Sequence, residues 1–252
     1  MMKLFFLFFL FVPFLCFNQL NQIDAKGKKQ GVWQKTYPES KNLIYKGQFI
    51  DDQEVGIFTY YYKSGKLKSV IEHIPNSNQR SFVTFYFEDG AVLSEGMYKN
   101  QLKDSVWYNY TSFGALSSKE NYKLNKLNGE KIIYYIEGQL ENNILSPLSV
   151  SNYSHDYIDG LYSEFFTLGE PKIRGYFKNG IKDGEWLFFH LDGYINKKII
   201  FRNKLNQTWI YNFDKDGVKL SEMFFENQVL LKDKELELFL KKCADNGINP
   251  SE

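Results

Sequence analysis

The chain repeats itself with a period near 24 residues, and that periodicity limits the fold before any local propensity is considered. Units start at Gly31, Gly56, Ser81, Ser105, Gly129, Gly160, Gly184 and Gln207, with successive spacings of 25, 25, 24, 24, 31, 24 and 23. All four tryptophans, Trp33, Trp107, Trp186 and Trp209, stand two places after a start and read as one column. Phe58, Val83, Lys131 and Tyr162 complete it. A unit this short buries its apolar face only against its neighbours, so one continuous array is expected over 26–230.

Within a unit the apolar residues alternate. Four places after the start stand Tyr60, Phe85, Ile133, Phe188 and Tyr211; six places after stand Tyr37, Tyr62, Phe87, Thr111, Tyr135, Phe166, His190 and Phe213. Period-two patterning predicts a β-strand with one filled face. Nine places after the start come Gly65, Gly90, Gly114, Gly138, Gly169 and Gly193, with Gly217 at ten. Glycine there supplies the positive φ of a hairpin turn. A second strand then runs to Phe49, Ile74, Tyr98, Tyr122, Tyr153, Phe177 or Ile200, seven before the next start. Each unit is thus expected to be a two-stranded hairpin, marginal alone and stable when stacked. Eight hairpins make an all-β array of roughly 16 strands, about 75 Å long at about 4.8 Å per strand.

The pattern Gly-x-Trp-x-x-x-Tyr-x-x-Gly, then Tyr/Phe-x-Asn-Gly-x-x-x-Gly, resembles the MORN repeat in its bacterial variant, and residues 177–193 are the fullest copy. The resemblance covers about residues 26–227; copies at Ser81, Ser105 and Gln207 lack the opening glycine, and Lys131 replaces the aromatic in the fifth. It implies an elongated single-layer antiparallel sheet of tandem hairpins. It implies no reaction, since such repeats serve in binding or scaffolding. Many bacterial members carry an antitoxin label, so a neutralising partner of a toxin is the alternative reading.

Composition narrows the partners. Lys plus Arg number 31 against 30 Asp plus Glu, and a balanced chain offers no field for nucleic acid. One Lys followed by the apolar run Leu4–Phe17 reads as a signal peptide over 1–18, too short for a bilayer-spanning helix. Export to the periplasm, cell envelope or medium is expected. Membrane contact then arises only through this segment, either uncleaved or lipidated at Cys16. Loss of Cys16 with the leader leaves Cys243 without an intramolecular partner, so packing rather than a disulfide must hold the fold.

Three features depart from the repeat. The 31-residue spacing after Gly129 contains seven extra residues, placed around Ser146–Asn152 and read as a lengthened loop or a binding loop within 144–155. Beyond the last unit, 231–246 reads as a helix capped by Asp233, with Leu236, Phe239, Leu240 and Cys243 on one stripe and Gly247 and Pro250 as stops. Its expected role is to cover the open edge of the last strand. The third feature is His155 beside Asp156, the one pairing that suits acid–base chemistry, although no nucleophile accompanies it. A hydrolytic enzyme built there is the minor alternative.

No cofactor or metal is expected. Asp104, Asn128, Asp159, Asp183 and Asn206 recur once per unit, whereas a calcium loop gathers its ligands within about 12 residues. Five places after successive starts stand Tyr61, Tyr86, Tyr110, Tyr134, Phe165 and Phe189, pointing away from the tryptophan column. They read either as a ladder that stabilises the sheet by cross-strand contact or as a platform for a protein or envelope glycan. The sequence therefore predicts a non-catalytic, exported binding or scaffold module with this aromatic face as its site.

Overall fold

The computed structural model describes residues 19–77 and 79–247, so the segment 1–18, expected to be a signal peptide, and Pro250 lie outside the described residues. Its strands are β1 Gln22–Ile23, β2 Lys29–Thr36, β3 Leu43–Ile50, β4 Gln53–Tyr61, β5 Leu67–His73, β6 Arg80–Tyr86, β7 Val92–Lys99, β8 Leu102–Tyr110 and β9 Leu116–Lys123. There follow β10 Lys126–Tyr134, β11 Pro147–Ser154, β12 Tyr157–Phe165, β13 Pro171–Lys178, β14 Ile181–Phe189, β15 Ile195–Arg202, β16 Gln207–Phe213, β17 Lys219–Glu226 and β18 Val229–Leu231. Helices α1 (Glu137–Asn142) and α2 (Asp233–Asp245) complete the fold. Each strand pairs antiparallel with the next in sequence, giving one sheet of tandem hairpins. The all-β array is thus as the period demands, with β1 and β18 added at its ends.

The opening residue of a unit controls the ladder beside it. Gly56, Ser105, Gly129, Gly160 and Gly184 have φ of +66°, +63°, +112°, +120° and +64°. At each of these five the register against the preceding strand shifts, a β-bulge. Where the unit opens at Ser81, and again before the last unit, the ladder runs straight.

One face, the tryptophan face, holds most of the deeply buried rings. Phe58, Val83, Trp107 and Trp186 have essentially no exposed surface. The second strand leaves room for them: a Cβ on Gly96 would lie 2.4 Å from the Trp107 ring, and Gly47 and Gly175 sit equally close under Phe58 and Trp186. Opposite the next position inward stand Ser69, Ser94, Ser118 and Ser149, all buried. Small residues on one strand accept large rings on its neighbour, which is how a single sheet reaches interior packing density.

Trp209 is not on this face. Register runs Trp186–Ile199–Ile210 on the tryptophan side and Leu187–Lys198–Tyr211 on the other, so Ile210 takes the column and Trp209 and Tyr211 point the opposite way. The last unit starts structurally at Thr208, 24 after Gly184, which also puts Gly217 at nine places rather than ten. Alternation makes a one-residue slip a change of face. Likewise the column closing each hairpin holds His73 and Phe201 rather than Ile74 and Ile200. His73 stands edge-on to Phe58 at 5.5 Å, and Phe201 pairs with Gly184 and meets Trp186 at 6.5 Å.

Two further expectations fail. The extra residues of unit five form α1 and the turn after it, while residues 147–154 are β11, paired on both sides. Gly138 is accordingly helical rather than a hairpin glycine. The insert is docked by Gln139, whose side-chain carbonyl accepts from Leu116 N at 2.8 Å and whose amide donates to Leu116 O at 2.7 Å, replacing a strand partner. The helix α2 does not run along the edge of β18. Leu236 and Phe239 pack on Ile200, Trp209, Tyr211 and Phe224, with the Phe224 and Phe239 rings 4.3 Å apart, so it covers a face. Its cap position is Lys232, without a side-chain cap bond, and Asp233 is its first residue. Cys243 is buried on the apolar stripe.

Candidate functional site

Tyr61, Tyr86, Tyr110, Tyr134, Phe165 and Phe189 all lie on the face opposite the tryptophans, at the end of each first strand, and all are half-buried. Each pairs with an aliphatic residue or proline: Leu67, Val92, Leu116, Pro147, Pro171 and Ile195. Phe213 extends the row by one. A ladder of this kind stabilises the sheet by cross-strand contact, and its remaining surface faces outward.

The ladder is also tied from behind. Tyr37 donates its hydroxyl to Tyr61 O at 2.8 Å, Tyr62 to Tyr86 O at 2.6 Å and Tyr135 to Phe165 O at 2.8 Å. Wherever a tyrosine stands six after the start, it binds the carbonyl of the next unit's ladder residue. Tyr110 donates to Glu95 at 2.8 Å; burial first, then this bond, pushes its phenol up to about 12. Tyr134 is raised by burial and by Glu130.

Two groups of signals in the sequence went unread. Lys29, Lys103 and Lys182, each four before a tryptophan, place Nζ 5.0, 4.3 and 4.3 Å from the rings of Trp33, Trp107 and Trp186. Those three indoles also donate to backbone carbonyls, whereas the Trp209 indole nitrogen is buried without a bond. Position 205, four before Trp209, is Leu, a mark that it belongs to another column. In unit five, Lys131 faces not a glycine but Glu120, at 2.9 Å. Glu120 also accepts from Tyr122 and Asn109. Burial works against its ionisation, but the bonds from Lys131 and Tyr122 outweigh it and hold the carboxyl below its usual range.

His155 and Asp156 do not assemble a catalytic pair. They are the two central residues of a turn, with φ of +51° and +75°. Asp156 accepts from Leu127 N at 2.8 Å, and the imidazole of His155 meets Ser154 at 3.2 Å. Among the described residues no three His, Cys, Asp or Glu side chains gather as metal ligands, and no helix is long and apolar enough to cross a membrane.

A family model described as MORN repeat variant matches residues 54–74 and 83–100, the segments that build β4–β5 and most of β6–β7. No curated protein matches the chain. Among solved structures it is similar to a chain of the Photorhabdus luminescens Tc holotoxin pore, at 15% identity and a TM-score of 0.23 over 84% of this chain and 14% of that one. It is similar also to a chain of a TcdB2–TccC3–Cdc42 structure, at 12% identity and a TM-score of 0.21 over 83% and 15%. The chain therefore spans about a seventh of the length of either. Residues 54–74 and 83–100 are thus MORN-repeat-variant hairpins, and hairpins of the same kind recur in register along the sheet.

Proposed function

We propose that this chain is a non-catalytic binding module of the cell envelope that meets a protein through the face bearing Tyr61, Tyr86, Tyr110, Tyr134, Phe165 and Phe189. One observation carries this reading. In the last unit the same face, through Trp209, Tyr211 and Phe224, is covered by α2, whereas in earlier units no described helix covers it, and Ile57 and Leu161 there are 58% and 69% exposed. Exposed apolar surface continuous with a ladder of tyrosines suits a partner that offers both apolar contact and hydrogen bonds. Repeats of this kind generally serve as protein- or membrane-binding modules, and the leader-like residues 1–18 support export.

The test uses the chain as bait in separate envelope and cytosolic extracts, beside Tyr86→Ser/Tyr110→Ser/Tyr134→Ser. Retention of an envelope protein by the parent and its loss from the triple variant, with circular dichroism unchanged, is the expected result. Equal retention by both would refute the ladder as the contact face. A single toxin-like cytosolic protein would overturn the envelope assignment in favour of the antitoxin reading, and retention of a glycan instead would change the partner class.

A further inference from the structure

The ladder face is not uniform in charge. In units five to seven its carboxylates are matched: Glu130 lies 3.8 Å from Lys119 and Glu185 lies 3.4 Å from Lys198, with Arg174 over the Phe189 ring at 5.8 Å. In units two to four the register places Ile57, Glu72, Phe82 and Met97 in one row across four strands, and Thr59, Val70, Thr84, Glu95 and Tyr108 in the next. Ile57 and Phe82 are exposed. Neither Glu72 nor Glu95 has a cationic partner among the described residues; Glu95 has only the Tyr110 hydroxyl. The cations of this region stand at its margins, Arg80 being committed to Asp104 at 3.6 Å. An apolar patch holding two unpaired carboxylates is complementary to an apolar surface flanked by positive charge.

The fold already contains one occupant of this face. The helix α2 lays Leu236 and Phe239 on the last unit, and among the described residues no comparable element covers units two to four. Spacing also favours a helix. Equivalent residues of adjacent hairpins lie two strand spacings apart, about 9.6 Å, and seven residues of α-helix rise about 10.5 Å. A helix lying across the strands therefore offers one apolar residue per hairpin, drifting by about 1 Å each time.

We propose that the ladder face of units two to four binds an amphipathic helix whose apolar stripe is flanked by Lys or Arg. This rests on the reading of the ladder face as the contact surface and names the partner's chemistry. The test titrates the full chain with two synthetic helical peptides of about 20 residues that share one Leu stripe, one flanked by Lys and the other by Glu. Binding of the Lys-flanked peptide at least tenfold tighter, with the preference reversed in Glu72→Lys/Glu95→Lys, is the expected result. Phe82→Ser should weaken both peptides while leaving the thermal midpoint within a few degrees. Equal affinity for the two peptides, no saturable binding, or an unchanged preference in the double variant would overturn the proposal. So would concentration-dependent self-association lost in the same variants, which would make a second copy the occupant. Tyrosine-dependent capture of a partner alongside peptide failure would remove this inference and leave the function intact.

Discussion

The same substitution at two repeat-equivalent positions should change stability in opposite directions. Ser105 opens unit four with φ of +63°, whereas Ser81 opens unit three on a straight ladder without a left-handed φ. Holding a residue with a Cβ in the left-handed region costs about 1–2 kcal/mol. Glycine removes that cost but gives back about 0.5–1 kcal/mol through the freedom it gains when unfolded. Ser105 also donates to Asp104 at 3.2 Å, an exposed bond of little net value. Ser105→Gly should therefore stabilise by about 0.5–1 kcal/mol. Ser81→Gly has only the entropic cost and the loss of a buried side chain, so it should destabilise by about 1 kcal/mol. At about 2–4 °C per kcal/mol for a chain of this size, the two variants should bracket the parent by a few degrees each way. Thermal melts and urea midpoints at constant m would measure this, the midpoint being preferred because repeat arrays need not unfold in one step. Loss of stability in both variants would show that the opening residue does not set the bulge.

Three further outcomes follow from named contacts. Lys131→Ala should cost about 1.5–3 kcal/mol by removing the cation from buried Glu120, which keeps its bonds from Tyr122 and Asn109, and Glu120→Gly/Lys131→Trp should recover most of it by restoring the glycine–tryptophan pair, as read by urea unfolding. Phe239→Ala should lift α2 from Trp209, at a cost of about 3–5 kcal/mol where the site cannot collapse; red-shifted tryptophan emission and a Cys243 thiol open to alkylation, with Cys16 replaced, would register it. Tyr60 and Tyr110 are each pushed up to about 12, chiefly by burial, so the folded state holds their protons more tightly than the unfolded chain, whose phenols titrate near 10. Their contribution is complete below pH about 10 and is lost as pH rises through about 12; the difference in 295 nm absorbance between the parent and Tyr60→Phe/Tyr110→Phe, followed beside circular dichroism, should show these two phenolates appearing only with unfolding, and a difference signal near pH 10 in an intact sheet would contradict this.

The hairpin array was legible because period and alternation agree over most of the chain. What escaped was register at the two places where the opening bulge is missing. Aligning the last unit on its tryptophan made Gln207 the start, gave a spacing of 23 and pushed Gly217 to ten places, and each oddity pointed to a start at Thr208. A tryptophan is a strong landmark by size, but size carries no face. The insertion was misplaced for a related reason. Ser149, Ser151 and Tyr153 alternate as a strand does, yet a Pro and several Ser made the segment look like loop, while Gly138 looked like a turn in a stretch that is helical. Six ladder residues, Tyr61 to Phe189, stand in one column of the sequence, whereas Phe213 joins the row only once the last start moves to Thr208.

The slip in the last unit also explains how the array ends. Had Trp209 stayed in the column, the final hairpin would have shown its rings on the tryptophan face, and α2 would have had to reach that face to cover them. With register straight at Thr208, the bulky residues of the last unit move to the ladder face, where Trp209 stacks with Tyr211 and Phe224 meets Phe239. Ile199, Ile210 and Met223 close the tryptophan face with smaller side chains. The loss of one bulge thus ends the aromatic spine on one side and builds the helix seat on the other. That seat lies on the ladder face at the last unit, so α2 covers this face only where the repeat runs out.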